Sequence, residues 1–415
     1  MTGVVVLGGG ADELVAAHVL ARAGRKVVVL DPSTAAPGMQ GGWVPGEIVR
    51  ALGLELKVEQ PDPWIEAVLP DGGRLALWHD MAKSVEAIRK LSPADAARWP
   101  AFCERIARVT RLLERLYTEP PPDPLGDWLP LAALGWQTRR LGRQGIEDLL
   151  RFLPIPIADL LDDWFECDAL KGLLAAGAIA NLSHGPRSGG TTLPLLHRHA
   201  GCPLGVFRPP ETNIVAALQA LPGIELRRGI EIGRIDMGQA DLVLSGLDPK
   251  RTLLELVDVT GLDPEFLQAV RHIRSRPAAA RYRVKLEREP DFGRLVFAPS
   301  LDYLERAYDD LKHRRVSPHP WMEAKRMGGD VEVLVQPADA VDAFAPLGPV
   351  ASREALPPLD HHAELTLDQF LWMRPLPELA RYATPVPRLH LCGPAMPPGY
   401  GIPGAAGWNC ARNLK

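Results

Sequence analysis

Residues 4–7 (Val-Val-Val-Leu) form an unbroken apolar run of the kind buried on both faces of a parallel sheet. They lead into Gly8-Gly9-Gly10, and the alanine- and leucine-rich stretch 14–23 predicts a helix closed by Gly24. A second buried strand is expected over 26–30, ending at Asp31, which completes a βαβ unit. Residues 84–117 carry Ile88, Leu91, Phe102, Ile106, Val109 and Leu113 on one helical face, and the proline-rich 120–124 stops them. Residues 128–180 again read as helical, broken at Pro154 and Pro156. Their Leu and Trp content suits a cap over an apolar cavity, or equally ordinary helix packing. A helix over 209–221 enters a strand at 224–226; strands follow at 242–244, 279–287 and 331–336, with a helix over 301–314. Segments 337–350 and 374–403 are rich in Pro and Gly, and no internal repeat is present.

Composition narrows this picture only slightly. A chain of 415 residues suggests about two to three domains. The net charge of −4 supplies no argument for nucleic acid as a partner. The five cysteines (Cys103, Cys167, Cys202, Cys392, Cys410) lack metal-ligand spacing and read as reduced thiols of a cytoplasmic protein. The first apolar run is too short for a signal peptide, and none reaches the ~18 residues of a membrane span. Forty-one prolines point to stiff, short connections.

Chemistry enters at the two ends of the chain. In a GxGxxG turn the first glycine permits the tight turn and the second lets the backbone approach a pyrophosphate. The third lets helix and strand pack closely, and the helix N-terminus faces the anion. Gly8 and Gly10 occupy the first two positions, and Asp31 stands where an acid binds the adenosine ribose. Glu13 occupies the third, preceded by Asp12. Either Glu13 points outward and a dinucleotide still binds, or the two carboxylates satisfy the helix N-terminus themselves. At the other end, 389–412 is a short apolar strand, a Gly/Pro-rich turn and a helix of small residues, a second element suited to closing over a diphosphate.

Other candidates carry less. His197 and His199, and His361 and His362, are close pairs without a third ligand or an HExxH spacing, and they read as core or surface histidines. Cys392 reads as a small buried hydrophobe, and Trp372 and Tyr400 either flank a ring or pack beside a cavity. Asp162, Asp163 and Glu166 read as a solvated helix face. No GxSxG elbow is present, and no side chain stands out as a catalytic acid or base.

Taken together with 160–171, 185–190, 299–308, 364–369, Met373-Arg374-Pro375 and the C-terminal glycine-rich segment, the chain resembles the phytoene desaturase-like flavoproteins. Within them it is similar to the phytoene dehydrogenase-related and pyridine nucleotide-disulphide oxidoreductase domain 2-like branch. The resemblance implies an α/β protein: a Rossmann-type FAD-binding domain (1–60, 205–255 and 385–415) with an inserted α+β substrate domain (61–204 and 256–384). It implies that Gly8, Gly10, Asp31, Gly41 and Gly42 face the adenosine and pyrophosphate of FAD, and that Gly393 lies at the diphosphate. Gly401 and Ile402 would present N–H groups to the flavin ring. The implied activity is oxidation of an apolar substrate by hydride transfer from C–H to flavin, with an electron acceptor and possible oligomer left open. Three departures stand out: Glu13 replaces a glycine, 232–241 is shorter than usual, and Tyr400 replaces a glycine. They keep a second reading open, a cofactor-poor relative acting as a binding or partner subunit. A dehydrogenase using NAD(P) alone ranks third, because it leaves the C-terminal segment without a role.

Overall fold

A computed structural model describes residues 3–123, 126–238, 240–338, 344–359 and 362–414. The chain opens as β1 (Val4–Leu7), α1 (Ala11–Arg22) and β2 (Val27–Asp31). Short strands β3 (Gln40–Gly41) and β4 (Val58–Glu59) flank α2 (Gly46–Leu52), and a hairpin of β5 (Ile65–Val68) and β6 (Arg74–Leu77) follows. The expected helix over 84–117 is two helices, α3 (Met81–Arg89) and α4 (Pro93–Tyr117). The break is local chemistry: Asp80 caps α3, while Ser92 accepts from the Asp95 N–H at 3.1 Å and Pro93 opens α4.

The helical stretch comprises α5 (Trp128–Arg139), α6 (Gly142–Phe152), α7 (Ile157–Trp164), α8 (Asp168–Ile179) and α9 (Thr192–His199). Then come β7 (Glu211–Thr212), α10 (Ile214–Gln219), β8 (Glu225–Arg228) and β9 (Leu242–Ser245). The helix expected over 209–221 starts late, because β7 pairs with β3 and β4 instead. Beyond α11 (Pro264–His272) lie β10 (Ala280–Leu286), β11 (Arg294–Phe297), α12 (Leu301–Lys312), β12 (Trp321–Met327), β13 (Asp330–Gln336) and β14 (Val350–Leu356). Strand β15 (Leu389–Leu391) and helix α13 (Ala405–Arg412) end the chain.

One sheet is parallel in the order β15-β9-β1-β2-β8, so strands far apart in sequence share one core. This is the Rossmann-type FAD-binding arrangement. A second, seven-stranded sheet in the order β14-β10-β13-β12-β11-β5-β6 is largely antiparallel, with β11 and β5 parallel. Its faces alternate: Leu295 packs with Val284, Met322 and Val333, while Val296 faces the helical core of Trp99, Phe102, Leu173 and Leu304. The core of the first sheet also takes in Phe266, Val270, Ile273, Ala363, Leu379 and Tyr382, so its packing crosses the expected boundaries near 255 and 385.

Candidate functional site

In the parallel sheet the chain runs outward from β1 through β2 to β8, then returns to the opposite side of β1 for β9 and β15. The reversal lies between β1 and β9, and open α/β sheets bind ligands beyond the carboxyl ends of their strands at such a point. Here the turns after β1, β9 and β15 press together backbone to backbone. A Cβ at Gly393 would overlap the Gly246 carbonyl, and one at Gly407 of α13 would overlap the Asp12 carbonyl. Gly8 has φ +108°, which a residue with a side chain adopts only under strain.

Two carboxylates enter this junction. Glu13, only 4 % exposed, turns back beneath the β1–α1 turn, and its Oε2 lies 2.6 Å from where a Cβ on Gly10 would stand. The N–H groups of Glu13 and Gly10 donate to it, so the first turn of α1 already has a carboxyl acceptor. Asp12 accepts from the Ala406 N–H at 3.1 Å and the Gly407 N–H at 3.4 Å, which caps α13 from another element. Burial pushes Asp12 up to about 7, against these hydrogen bonds. Burial, followed by the charges of Asp12 and Asp31, pushes Glu13 up to about 8. Of the two prior readings of the acidic pair, the structure has the one in which the carboxylates satisfy helix N-termini, each a different helix.

A cavity of about 820 Å³ runs past this junction. Gly8, Gly10, Asp31, Gly41, Gly401 and Ile402 line it. Asp31 accepts from the Ser33 N–H at 2.9 Å and lies 3.6 Å from Arg228. Gly42 and Gly393 are not on the wall. A Cβ at Gly42, where φ is +144°, would stand 2.7 Å from the Gly401 carbonyl and clash with Pro403. Gly42 and Gly393 are packed closely against backbone beside the cavity. Trp372 faces elsewhere, donating to the Pro122 carbonyl at 2.7 Å, whereas Tyr400 is on the wall. Cys392 is buried and, like the other four cysteines, free.

The far wall comes from the second sheet and α9. Glu323 receives Arg208 at 2.5 Å and Arg294 at 3.4 Å; Glu211 receives Arg294 at 3.0 Å and also Lys325; Arg281 meets Glu332 at 2.7 Å. Burial opposes ionisation of Glu323, yet Arg208 and Arg294 hold it down to about 2. These ion pairs form one side of the cavity, beside apolar residues such as Leu334 and Val215. Of the helical stretch 128–180 only Ala180 reaches the cavity, while Trp128 and Trp136 are exposed on α5. Helices α7 and α8 of this stretch pack into the helical core through Leu160, Leu161, Leu170 and Leu173.

The glycine-rich turn of 393–403 is held by two side chains that the sequence did not single out for this task. Arg374, fully buried, donates to the carbonyls of Glu364, Gln369, Ala363 and Pro394 at 2.9–3.1 Å. His197 is buried between the Tyr117 hydroxyl at 2.8 Å and the Tyr400 carbonyl at 2.6 Å, and burial lowers its pKa to about 3. It is a neutral strut, and His199 is buried against Phe207. His361 lies outside the described residues.

No family model matches the chain. It is 24 % identical to pyridine nucleotide-disulfide oxidoreductase domain-containing protein 2 of Rattus norvegicus over 99 % of this chain and 93 % of that protein, and equally so to the Mus musculus protein. Among solved structures, an oxidoreductase from Methanosarcina mazei superposes with a TM-score of 0.58 at 14 % identity, covering 100 % of this chain and 99 % of that one. Putrescine oxidase, solved bound to putrescine, gives 0.54 at 11 % identity with 100 % and 99 % covered. The chain thus shares the fold of the Methanosarcina mazei oxidoreductase and of putrescine oxidase, and it is similar over nearly its whole length to the pyridine nucleotide-disulfide oxidoreductase domain-containing protein 2 sequences.

Proposed function

We propose that this protein is an FAD-dependent oxidoreductase that removes hydride from a C–H bond of a small substrate. The observation that carries the reading is the single cavity joining the β1–α1 turn, the turn at Gly401 and Ile402, and the ionic wall of the second sheet. A cavity of about 820 Å³ lined from both sides suits a dinucleotide along one part and a substrate beyond it. The cleft fits FAD at the glycines and at Asp31, with one obstacle, Glu13. Gly8, Gly10, Asp31 and Gly41 would hold the adenosine and pyrophosphate side, and Gly401 and Ile402 the flavin side. Bound FAD would supply the two-electron acceptor. The chain itself would exclude water and fix the turn through His197 and Arg374. The phytoene desaturase-like resemblance and the amine-oxidase-type fold both support C–H oxidation beside a flavin. The apolar or partly apolar substrate would meet both apolar side chains and the ion pairs of the second sheet along this cavity. Five free thiols support a cytoplasmic location.

The second reading, a partner subunit with little or no cofactor, has one observation in its favour: the Glu13 carboxyl already occupies the N-terminus of α1. An absorption spectrum between ~350 and ~500 nm, taken after adding FAD and desalting, separates the two. Retained flavin bands are expected for the enzyme. A colourless protein at every pH tried would turn the assignment to the partner subunit.

A further inference from the structure

Four cations of α9 and the second sheet border the cavity: Arg198, Arg281, Arg294 and Lys325. Three of them meet carboxylates, as described above. Arg198 does not. It donates to the Ala180 carbonyl at 3.3 Å and lies close to the Tyr400 hydroxyl, and no described carboxylate forms an ion pair with it. Its Nε is out of contact with solvent and has no partner among the described residues. A guanidinium stays protonated in proteins, so it cannot relieve this burial by losing its proton. An unpaired charge in such a place is costly, and the fold usually supplies a counter-ion.

We infer that Arg198 is the recognition point for a carboxylate on the substrate. The substrate is then a small monoanion whose oxidised C–H bond lies beside the turn at Tyr400. This rests on the oxidoreductase reading above. The planar guanidinium matches a carboxylate in two parallel hydrogen bonds. Arg208 stands near enough to Arg198 to add to the positive field. Glu323 also influences Arg198, and Glu211 and Glu332 border the same space. Among these cations Arg198 is the one without an ion-paired carboxylate in the described residues, so the carboxylate of a substrate would complete the set. A role limited to bracing the Ala180 carbonyl requires neither a permanent charge nor a place on the cavity wall.

Benzoate is the probe, with benzamide as its neutral isostere and inorganic phosphate as the other anion. Each is titrated into FAD-loaded protein, followed by flavin absorption, and into unloaded protein, followed by tryptophan fluorescence. Benzoate is expected to bind and benzamide to bind at least tenfold more weakly, a comparison that needs no variant. Arg198→Gln should weaken benzoate by roughly 10- to 100-fold, Arg198→Lys less, and FAD retention should not change. Equal binding of benzoate and benzamide, an unaltered benzoate affinity in Arg198→Gln, or tighter phosphate than benzoate would each overturn the inference. Loss of FAD retention in Arg198→Gln would do so too, because Arg198 would then serve the cofactor. If the wild-type protein retains no FAD, the oxidoreductase reading fails by itself, and the fluorescence titration still decides the role of Arg198.

Discussion

The carboxyl of Glu13 occupies the place that a Cβ on Gly246 would need. Gly246 follows β9 and Glu13 lies in the first turn of α1, so the side chain fills the crevice between β1 and β9, where the strand order reverses. A fold of this kind normally leaves that crevice to the ligand's phosphates. Here an internal carboxyl stands in it, with Asp12 on its own helix, Asp31 at the end of β2, Arg228 on β8 behind Asp31, and the Cys392 thiol after β15.

FAD affinity should therefore depend on the Glu13 charge. A carboxylate ~5 Å from a phosphate costs about 3 kcal/mol at an effective dielectric near ~20, roughly two decades of affinity. Burial keeps the carboxyl neutral up to about 8, so binding to the wild-type protein should be level at lower pH and weaken as pH rises through that value. Glu13→Gln should flatten the profile, and Glu13→Gly should bind more tightly at every pH. Fluorescence titration of FAD between pH 6 and 9.5 checks this, and a Glu13→Gln protein that keeps the wild-type slope would sink it.

The same group links stability to pH. Its folded pKa lies above the ordinary glutamate value of 4.5, so the native state holds the proton longer than the unfolded chain. Stability should fall as pH rises from about 4.5 through about 8, because deprotonation then leaves a buried charge. Glu13→Gln should recover about 1–3 kcal/mol at pH 9 and little at pH 5, read from urea midpoints.

Gly246→Ala should destabilise the protein by about 2–4 kcal/mol, since neither the packed turn nor the buried carboxyl has room for a methyl group. In the double variant with Glu13→Gly most of that loss should disappear. A double-mutant cycle without coupling would show that the two positions are not in contact.

Asp12→Ala removes the cap of α13, and about 1–2 kcal/mol should be lost in chemical denaturation. Arg374→Met should cost more, about 3 kcal/mol, because four carbonyls lose a charged donor. It should also loosen the turn at 394–399, which hydrogen exchange would register as lost protection there.

The local elements of the cofactor half were legible because each is written in a short window. The run at 4–7, the helix ending at Gly24, Asp31, and the strand at 242–244 each need only a few adjacent side chains to define them. Strands β12 and β14 escaped notice. Glu323, Lys325 and Arg326 interrupt the first, and most of the second is an exposed edge held by backbone bonds to β10. Periodicity cannot see a strand whose polar residues have partners elsewhere.

By itself the sequence determined that a βαβ turn with Gly8 and Gly10 stands at one end, that a Gly/Pro-rich turn stands at the other, and that an acid sits at the third position. Only the tertiary structure decided where that acid points, that Asp12 caps a helix nearly 400 residues away, and that Arg198 faces the cavity without a carboxylate. The reason is physical. Helix and strand propensities act within a few residues, whereas burial, ion pairing and cavity walls are set by which distant segments the sheet order brings together.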